Sequence, residues 1–238
     1  RIYMVKSEII KRSPVRVFEE TLEGGLGVGN LGVITSRKGV GKTASLIHIA
    51  TDKLMRDQNV LHISFADDPR HITNWYEHLF DELAKTYKLE DARQVHDDII
   101  RHRLILHYKQ QVEFAHLCKD IQDLTKGMNQ SPQIMIVDGF PFETASAQDV
   151  QNWKSYAQEN NTAVWFSATM HREDPKFDDN GIPFPVNQFT DLLSVIIMLN
   201  PMQHHIELEL LKSHTPGEQK KLQLKLNPRT LLLSNHRA

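Results

Sequence analysis

The sequence predicts an α/β fold: a mainly parallel central sheet flanked by helices, with antiparallel strands towards the carboxyl end. Between residues 31 and 167, short apolar runs alternate with helical patterns of ten or more residues, which is typical of βαβ units and parallel strands. The last third instead has short runs separated by turn residues at Pro201, Pro216-Gly217 and Asn227-Pro228, which indicates antiparallel hairpins. With 238 residues, 40% of them hydrophobic, the chain is large enough for one domain with a sizeable core.

The first 30 residues are interpreted as a lead-in, and residues 31–238 as the main domain. Pro14 interrupts any early helix in the lead-in, and glycines crowd the approach to the first strand. Residues 1–8 lack the apolar core of a signal peptide, and a start at Arg1 rather than Met is what a piece of a longer chain would show. The crowding glycines are Gly24, Gly25, Gly27, Gly29 and Gly32.

Hydrophobic periodicity predicts the elements of the main domain. Strands are taken as aliphatic runs that end at turn residues, and helices as stretches with apolar residues every three or four positions. The predicted core strands are residues 31–35, 60–64, 104–108, 133–137 and 162–167. The predicted helices are residues 42–57, 71–87, 89–102, 112–126 and 147–160. The predicted C-terminal strands are residues 193–199, 205–212, 222–226 and 230–233.

Composition excludes several classes of protein. The 28 basic and 30 acidic residues nearly cancel, so no large positive field supports binding to nucleic acid or to a membrane surface. The longest apolar run, residues 192–199, is too short to cross a bilayer. Cys118 is the single cysteine and cannot form an internal disulfide, which favours a reducing compartment and a cytoplasmic location. The thirteen histidines show no metal-ligand spacing, and no Gly-x-Ser-x-Gly turn supports a serine nucleophile.

The strongest chemical signal is a glycine-rich segment between the first predicted strand and the first predicted helix of the main domain. Its backbone N–H groups and the helix N-terminus attract phosphate. Lys42 would reach the terminal phosphates and Thr43 would hold Mg²⁺, so the segment predicts a site for ATP with Mg²⁺. Ser36 replaces the usual first glycine and fits if its φ stays negative. The candidate binding residues are Ser36, Arg37, Lys38, Gly39, Val40, Gly41, Lys42, Thr43 and Ala44.

A phosphate-binding loop of this kind needs an acidic partner for the metal on a nearby strand. The run Ile134–Asp138 is a hydrophobic strand that ends in a carboxylate, and Asp138 would bind Mg²⁺ through water. The alternative is an aspartate that only opens the turn before Gly139.

Residues 31–50 resemble the first strand, P-loop and helix of RecA-like P-loop ATPases, and in particular their replicative-helicase and circadian-clock branch. The resemblance extends over most of residues 13–233. It implies a RecA-like fold, ATPase activity and a homo-oligomer in which a neighbouring subunit completes the site. Residues 60–65 are similar to the next strand of that branch, and Asp138 takes the place of its metal-binding aspartate. Among other P-loop families the partition ATPases are a weaker match, because the antiparallel tail and the glycine-rich lead-in argue against them.

The chain departs from that branch at three places. The usual catalytic glutamate position is Ala66, so Asp67 or Asp68 would have to orient the attacking water, with Lys42 as the third catalytic candidate. Hydroxyl-bearing residues of 167–169 replace the usual glutamine sensor. The motif that reaches into the neighbouring subunit is Lys212-Ser213-His214, with His in place of Arg.

These departures predict a slow Mg²⁺-dependent ATPase that works as an oligomeric switch or motor. The alternatives are a nucleotide-binding scaffold that does not hydrolyse ATP and, less favoured by charge, a DNA-dependent ATPase related to helicases. Lys212 either binds nucleotide in the neighbouring subunit or is a solvated residue at a strand end.

Two further segments bear on partners. Residues 171–191 contain Arg172 but are net acidic, so we expect a mobile lid or a protein-docking loop there rather than a nucleic-acid contact; a plain disordered loop is the alternative. The helix at residues 71–87 carries an apolar face that we expect in the core, with a subunit contact as the alternative.

Overall fold

The computed structural model describes residues 2–127, 131–171, 173–217 and 219–235, with side chains described from Lys6 onward. The helices are α1 (Ile2–Arg12), α2 (Val15–Thr21), α3 (Lys42–Met55), α4 (Pro69–Tyr87), α5 (Ala92–Ile100), α6 (Phe114–Thr125) and α7 (Ala147–Glu159). The strands are β1 (Leu31–Ser36), β2 (Val60–Ser64), β3 (Arg103–His107), β4 (Ile134–Asp138), β5 (Ala163–Thr169), β6 (Val195–Pro201), β7 (Ile206–Lys212), β8 (Lys220–Leu226) and β9 (Leu233–Asn235).

Over the described residues the strands form one sheet in the order β3-β2-β4-β5-β1-β6-β7-β8-β9. The pairs from β3 through β1 to β6 are parallel, and β6 to β9 pair antiparallel. The predicted α/β class, the mainly parallel sheet and the antiparallel C-terminal strands are therefore confirmed. No helix in the described ranges is long and apolar enough to cross a membrane.

Helices cover both faces of the sheet, and alternate residues of each strand face opposite cores. Ile134 and Ile136 of β4 belong to the core that includes α1 to α5, whereas Met135 and Val137 belong to the core beneath α6 and α7. Asp138 continues the first series and therefore faces the side of α3. The face of α4 is core as expected, because Tyr76, Leu79 and Phe80 of this helix are all buried.

The lead-in contains two helices, which the sequence analysis did not predict. Pro14 does separate them, as expected from its position. Helix α2 is tied to α3 by charge: Glu19 accepts from Lys53 and Arg56, and Arg16 donates to Asp52. The lead-in is thus docked on the main domain rather than being only an approach to β1.

The last strand is displaced from its expected position. Residues 230–233 were predicted as a strand, but β9 begins at Leu233. The Asn227 side chain accepts from the backbone N–H groups of Arg229 and Thr230, and Leu231 has φ 58°, so this stretch is held as a turn.

Candidate functional site

The glycine-rich segment lies where β1 ends and α3 begins, as the sequence analysis expected. Ser36 is the last residue of β1, pairs with Thr169 and does not have a positive φ, so a serine is compatible with this position. Gly41 precedes α3 with φ 122°, and a Cβ there would lie 2.6 Å from Cδ2 of Leu226. Both the conformation and the close approach require glycine at residue 41.

Lys42 is held inside its own loop. Its Nζ donates to the carbonyl oxygens of Ser36 at 3.3 Å and Arg37 at 3.1 Å, and to the Ser36 hydroxyl at 3.4 Å. Burial lowers the Lys42 pKa to about 8, although the nearby Asp138 carboxylate acts in the opposite direction. A positive group under strong desolvation, held only by neutral oxygens, would gain from a phosphate anion in the loop.

Asp138 is the centre of a buried hydroxyl–carboxylate cluster. Thr43 Oγ1 donates to Asp138 Oδ2 at 2.8 Å, and Ser167 Oγ donates to Asp138 Oδ1 at 2.5 Å. Ser167 also accepts from the Gly139 N–H at 2.9 Å. Because β5 lies between β1 and β4 in the sheet, Ser167 is placed between the loop and Asp138. Of the two hydroxyl-bearing residues in 167–169, Ser167 is the one whose side chain enters this cluster.

The cluster fits a Mg²⁺ ion that is shared with phosphate. Thr43 and Asp138 together offer a hydroxyl and a carboxylate, and hard oxygen donors suit Mg²⁺. No group of three or more His, Cys, Asp or Glu side chains suitable for a metal occurs in the described part of the chain. If Mg²⁺ binds here, Thr43 would hold it directly and Asp138 through water, and phosphate and water would supply the other ligands, as is common for Mg²⁺.

The two aspartates proposed as catalytic differ in their surroundings. Asp68 caps α4 and accepts from the N–H groups of His71 and Arg70, which together lower the pKa of its carboxyl group. Asp67 is tied less tightly: its N–H donates to Ser64 Oγ at 2.9 Å, and its carboxylate lies 3.2 Å from His71 Nδ1. Since Ser64 pairs with Asp138 across β2 and β4, Asp67 and Asp68 both follow the strand end beside Asp138.

Ala66 is exposed, and one side of it faces the turn after β4. A Cβ on Gly139 would lie 2.8 Å from Ala66 Cβ, so the turn after β4 runs directly against the segment after β2. This close approach, together with φ 79° at Gly139, explains the glycine at residue 139 and sets no limit on the size of an exposed side chain at residue 66.

His62 belongs to the site, although the sequence analysis did not select it. Its ring is buried, Nδ1 lies 3.0 Å from the Tyr76 hydroxyl, and Nε2 lies 3.9 Å from Asp138 Oδ2. Burial lowers the His62 pKa to about 4, so the ring is neutral at pH 7. The sequence feature that could have identified His62 is a histidine on a core strand two residues before Ser64, so that both side chains lie on the same face.

Lys212 lies away from the glycine-rich loop of its own chain. It pairs with Ile196, which pairs with Val33 of β1, whereas the loop follows Ser36 at the end of β1. Lys212 does end β7, as the alternative expected, but it is half-buried and its Nζ donates to the carbonyl oxygens of Thr190 and Leu193 rather than being only solvated. His214, at the position of the expected arginine, has Nε2 3.0 Å from the Gly25 carbonyl oxygen.

Much of the segment 171–191 is folded. Ile182, Val186 and Phe189 are buried, and Val186–Phe189 forms a 3-10 helix against the α6 and α7 core. A plain disordered loop is therefore wrong for its second half. Arg172 lies outside the described residues, and Phe177 is 47% exposed.

A cavity of about 580 Å³ opens beside the turn after β4, on the α6 and α7 face of the sheet. Aromatic side chains form much of its wall, and its lining includes two carboxylates but no cationic side chain. It is separate from the loop at the head of α3. The aromatic lining residues are Phe65, Phe114, Phe140 and Trp153, and the acidic ones are Glu113 and Asp149.

Comparison with known proteins adds no relative to this picture. No protein-family model matches the chain, and a search of curated proteins finds no significantly similar sequence.

Proposed function

We propose that the chain is a RecA-like P-loop protein that binds ATP with Mg²⁺ through the segment between β1 and α3. The observation that carries the proposal is the contact of Thr43 with Asp138, 95 residues apart, at the head of the helix that the loop opens. A random Gly-Lys-Thr at a helix start would not bring a strand-end carboxylate to the threonine hydroxyl. Lys42, with its pKa lowered by burial and no acidic hydrogen-bond partner among the contacts described for it, supplies the positive charge.

The fold supports the RecA-like part of the proposal. The loop strand β1 and the aspartate strand β4 are separated by β5, whose Ser167 contacts Asp138 where the resemblance places a polar sensor. Residues 31–238 would then be the ATPase domain and residues 1–30 its lead-in. A location in the cytoplasm and a homo-oligomeric state complete the proposal, as the single cysteine and the resemblance imply.

We further propose that hydrolysis is slow and that nucleotide acts as a switch. Ala66 replaces the usual base, which leaves Asp67 as the better-placed carboxylate, because Asp68 is engaged as a helix cap. His214 replaces an arginine, and a trans-acting arginine can contribute three to five orders of magnitude in related phosphoryl transfer. Lys42 would stabilise charge on the transferred phosphate, and Asp138 and Thr43 would hold the metal.

Lys42→Ala tests nucleotide binding. Calorimetry with a non-hydrolysable ATP analogue and Mg²⁺ should show affinity at least about 100-fold weaker, the equivalent of two charge-assisted hydrogen bonds. The variant should be no less stable than the native protein, because a desolvated ammonium is removed. Lys119→Ala, an exposed lysine on α6, is the matched control and should bind normally. Unchanged affinity in a folded Lys42→Ala protein would reject the site.

The second candidate function is a nucleotide-binding scaffold that does not hydrolyse ATP at a useful rate. The alanine at residue 66, where the resembled family has its catalytic glutamate, favours this function. Phosphate release separates the two functions. A slow ATPase should lose roughly 100-fold or more of its rate in Asp67→Ala if that carboxylate orients water, with Asp68→Ala as the comparison that removes only the helix cap. No turnover in the native protein, with or without single-stranded DNA, would favour the scaffold. Tight ATP-dependent binding of that DNA would instead favour the helicase-related alternative.

A further inference from the structure

His62 carries a polar atom without a partner in the protein core. The residue is fully buried, and Nε2 is the one nitrogen of the ring with no hydrogen bond among the described residues. This nitrogen lies 3.9 Å from Asp138 Oδ2, which is too long for a hydrogen bond but leaves the ring edge directed at the carboxylate. A buried polar group without a partner is costly, so its position needs a reason.

The surroundings of the ring favour one tautomer of His62. Nδ1 lies 3.0 Å from the Tyr76 hydroxyl, and the Arg103 guanidinium lies 4.7 Å from the centre of the Tyr76 ring. The positive charge over the ring makes the phenol a better donor, so the Tyr76 O–H donates to Nδ1. The hydrogen of the neutral ring is then on Nε2. The opposite tautomer would aim a lone pair at the Asp138 carboxylate, which electrostatics disfavours.

We propose that His62 is a positioning residue for the metal site, with Nε2–H donating to Asp138 Oδ2 when Mg²⁺ and nucleotide are bound. The inference rests on the proposed function. A shift of about 1 Å in the carboxylate or the ring closes the gap to hydrogen-bond length. The Tyr76 hydroxyl, carried by α4, then holds the ring, so that α4 acts on the metal site through two side chains. Groups that orient a metal-binding carboxylate in this way commonly change metal affinity 10- to 100-fold when removed.

The test separates metal affinity from nucleotide affinity. Mg²⁺ is titrated calorimetrically into protein saturated with a non-hydrolysable ATP analogue, and analogue binding is also measured without Mg²⁺. His62→Phe should weaken Mg²⁺ binding about tenfold or more and leave metal-free analogue affinity within about twofold, because Lys42 and the loop are untouched. His62→Gln, which retains an N–H donor, should recover part of the loss.

Tyr76→Phe keeps the test decisive if the ring substitution prevents folding. It removes one hydroxyl and should weaken Mg²⁺ binding less than His62→Phe does. The double variant, with both substitutions, should bind Mg²⁺ as tightly as His62→Phe alone. Tyr87→Phe on the same helix, whose hydroxyl contacts the Arg12 carbonyl instead, is the control and should have native Mg²⁺ affinity.

Nitrogen-15 NMR of histidine-labelled protein gives an independent readout that a packing role would not move. The inference expects the Nε2–H tautomer of His62 in the native protein and a change of its nitrogen shift when Mg²⁺ and analogue are added. An Nδ1–H tautomer, or unaltered Mg²⁺ affinity in folded His62→Phe and Tyr76→Phe, overturns the inference alone. Absence of Mg²⁺-dependent analogue binding in the native protein overturns the proposed function and the inference with it.

Discussion

Acidification should destabilise this protein through His48, a residue of α3 that holds the C-terminal segment. The Leu233 N–H donates to His48 Nε2 at 3.0 Å, so this nitrogen serves as an acceptor although the Leu231 carbonyl oxygen is also 3.1 Å away. Burial lowers the His48 pKa to about 4 from its ordinary value of 6.5, and the carbonyl oxygen offsets this only in part. The folded protein therefore keeps the ring neutral where the unfolded chain binds a proton.

The sign and size of the effect follow from these two pKa values. Above pH 6.5 both states are neutral and the His48 contribution is complete; it is lost as pH falls from 6.5 towards 4. At pH 5 the unfolded chain gains about 2 kcal/mol from protonation that the fold does not allow. For a domain with a typical stability of about 5–15 kcal/mol, this is a measurable fraction of the total.

Urea unfolding at several pH values between 7.5 and 5 measures this contribution, with fluorescence of the buried Trp153 and Trp165 as the probe. His48→Gln keeps an acceptor for the Leu233 N–H but removes the titration. Its free energy of unfolding should fall by about 2 kcal/mol less than that of the native protein over this range. His116→Gln, at an exposed histidine of α6, should follow the native curve. Identical pH dependence in native and His48→Gln proteins would refute the assignment.

Two further predictions concern the loop and assembly. Gly41→Ala should destabilise the fold by about 1–3 kcal/mol and abolish analogue binding, because it places a Cβ against Leu226 at a positive φ; a melting temperature equal to that of the native protein would contradict the loop geometry. If Lys212 acts on a neighbouring subunit, sedimentation should show association only with a non-hydrolysable ATP analogue. Lys212→Ala should weaken that association and leave monomer affinity within about twofold, since Lys212 lies beside the start of β6 and away from the loop of its own chain. A monomer both with and without the analogue would argue against a role for Lys212 in a neighbouring subunit.

The sequence sufficed for elements whose causes are local. Aliphatic runs and glycine-rich turns predicted the strands of the parallel sheet and the loop before α3, because periodicity and φ preferences act within a few residues. The lead-in helices depend instead on distant partners: Lys6 pairs with Asp57 and Asp98, and Glu19 with residues of α3. The sequence of residues 1–30 by itself does not predict those contacts.

The candidate site also contains residues that the sequence could predict and residues that it could not. Thr43 and Asp138 could be paired from the sequence because a loop motif and a strand-end carboxylate both lie at the carboxyl edge of a parallel sheet, where such residues meet. His62 could not, because strand alternation places it with Val60 on a buried face, where a histidine is indistinguishable from core. Its polar role becomes visible only in the fold, where Tyr76 lies on one side of the ring and Asp138 on the other. The same reasoning separates Asp67 from Asp68. They are adjacent and chemically identical in the sequence, but the start of α4 at Pro69 makes Asp68 the helix cap and leaves the Asp67 carboxylate outside the cap, beside His71.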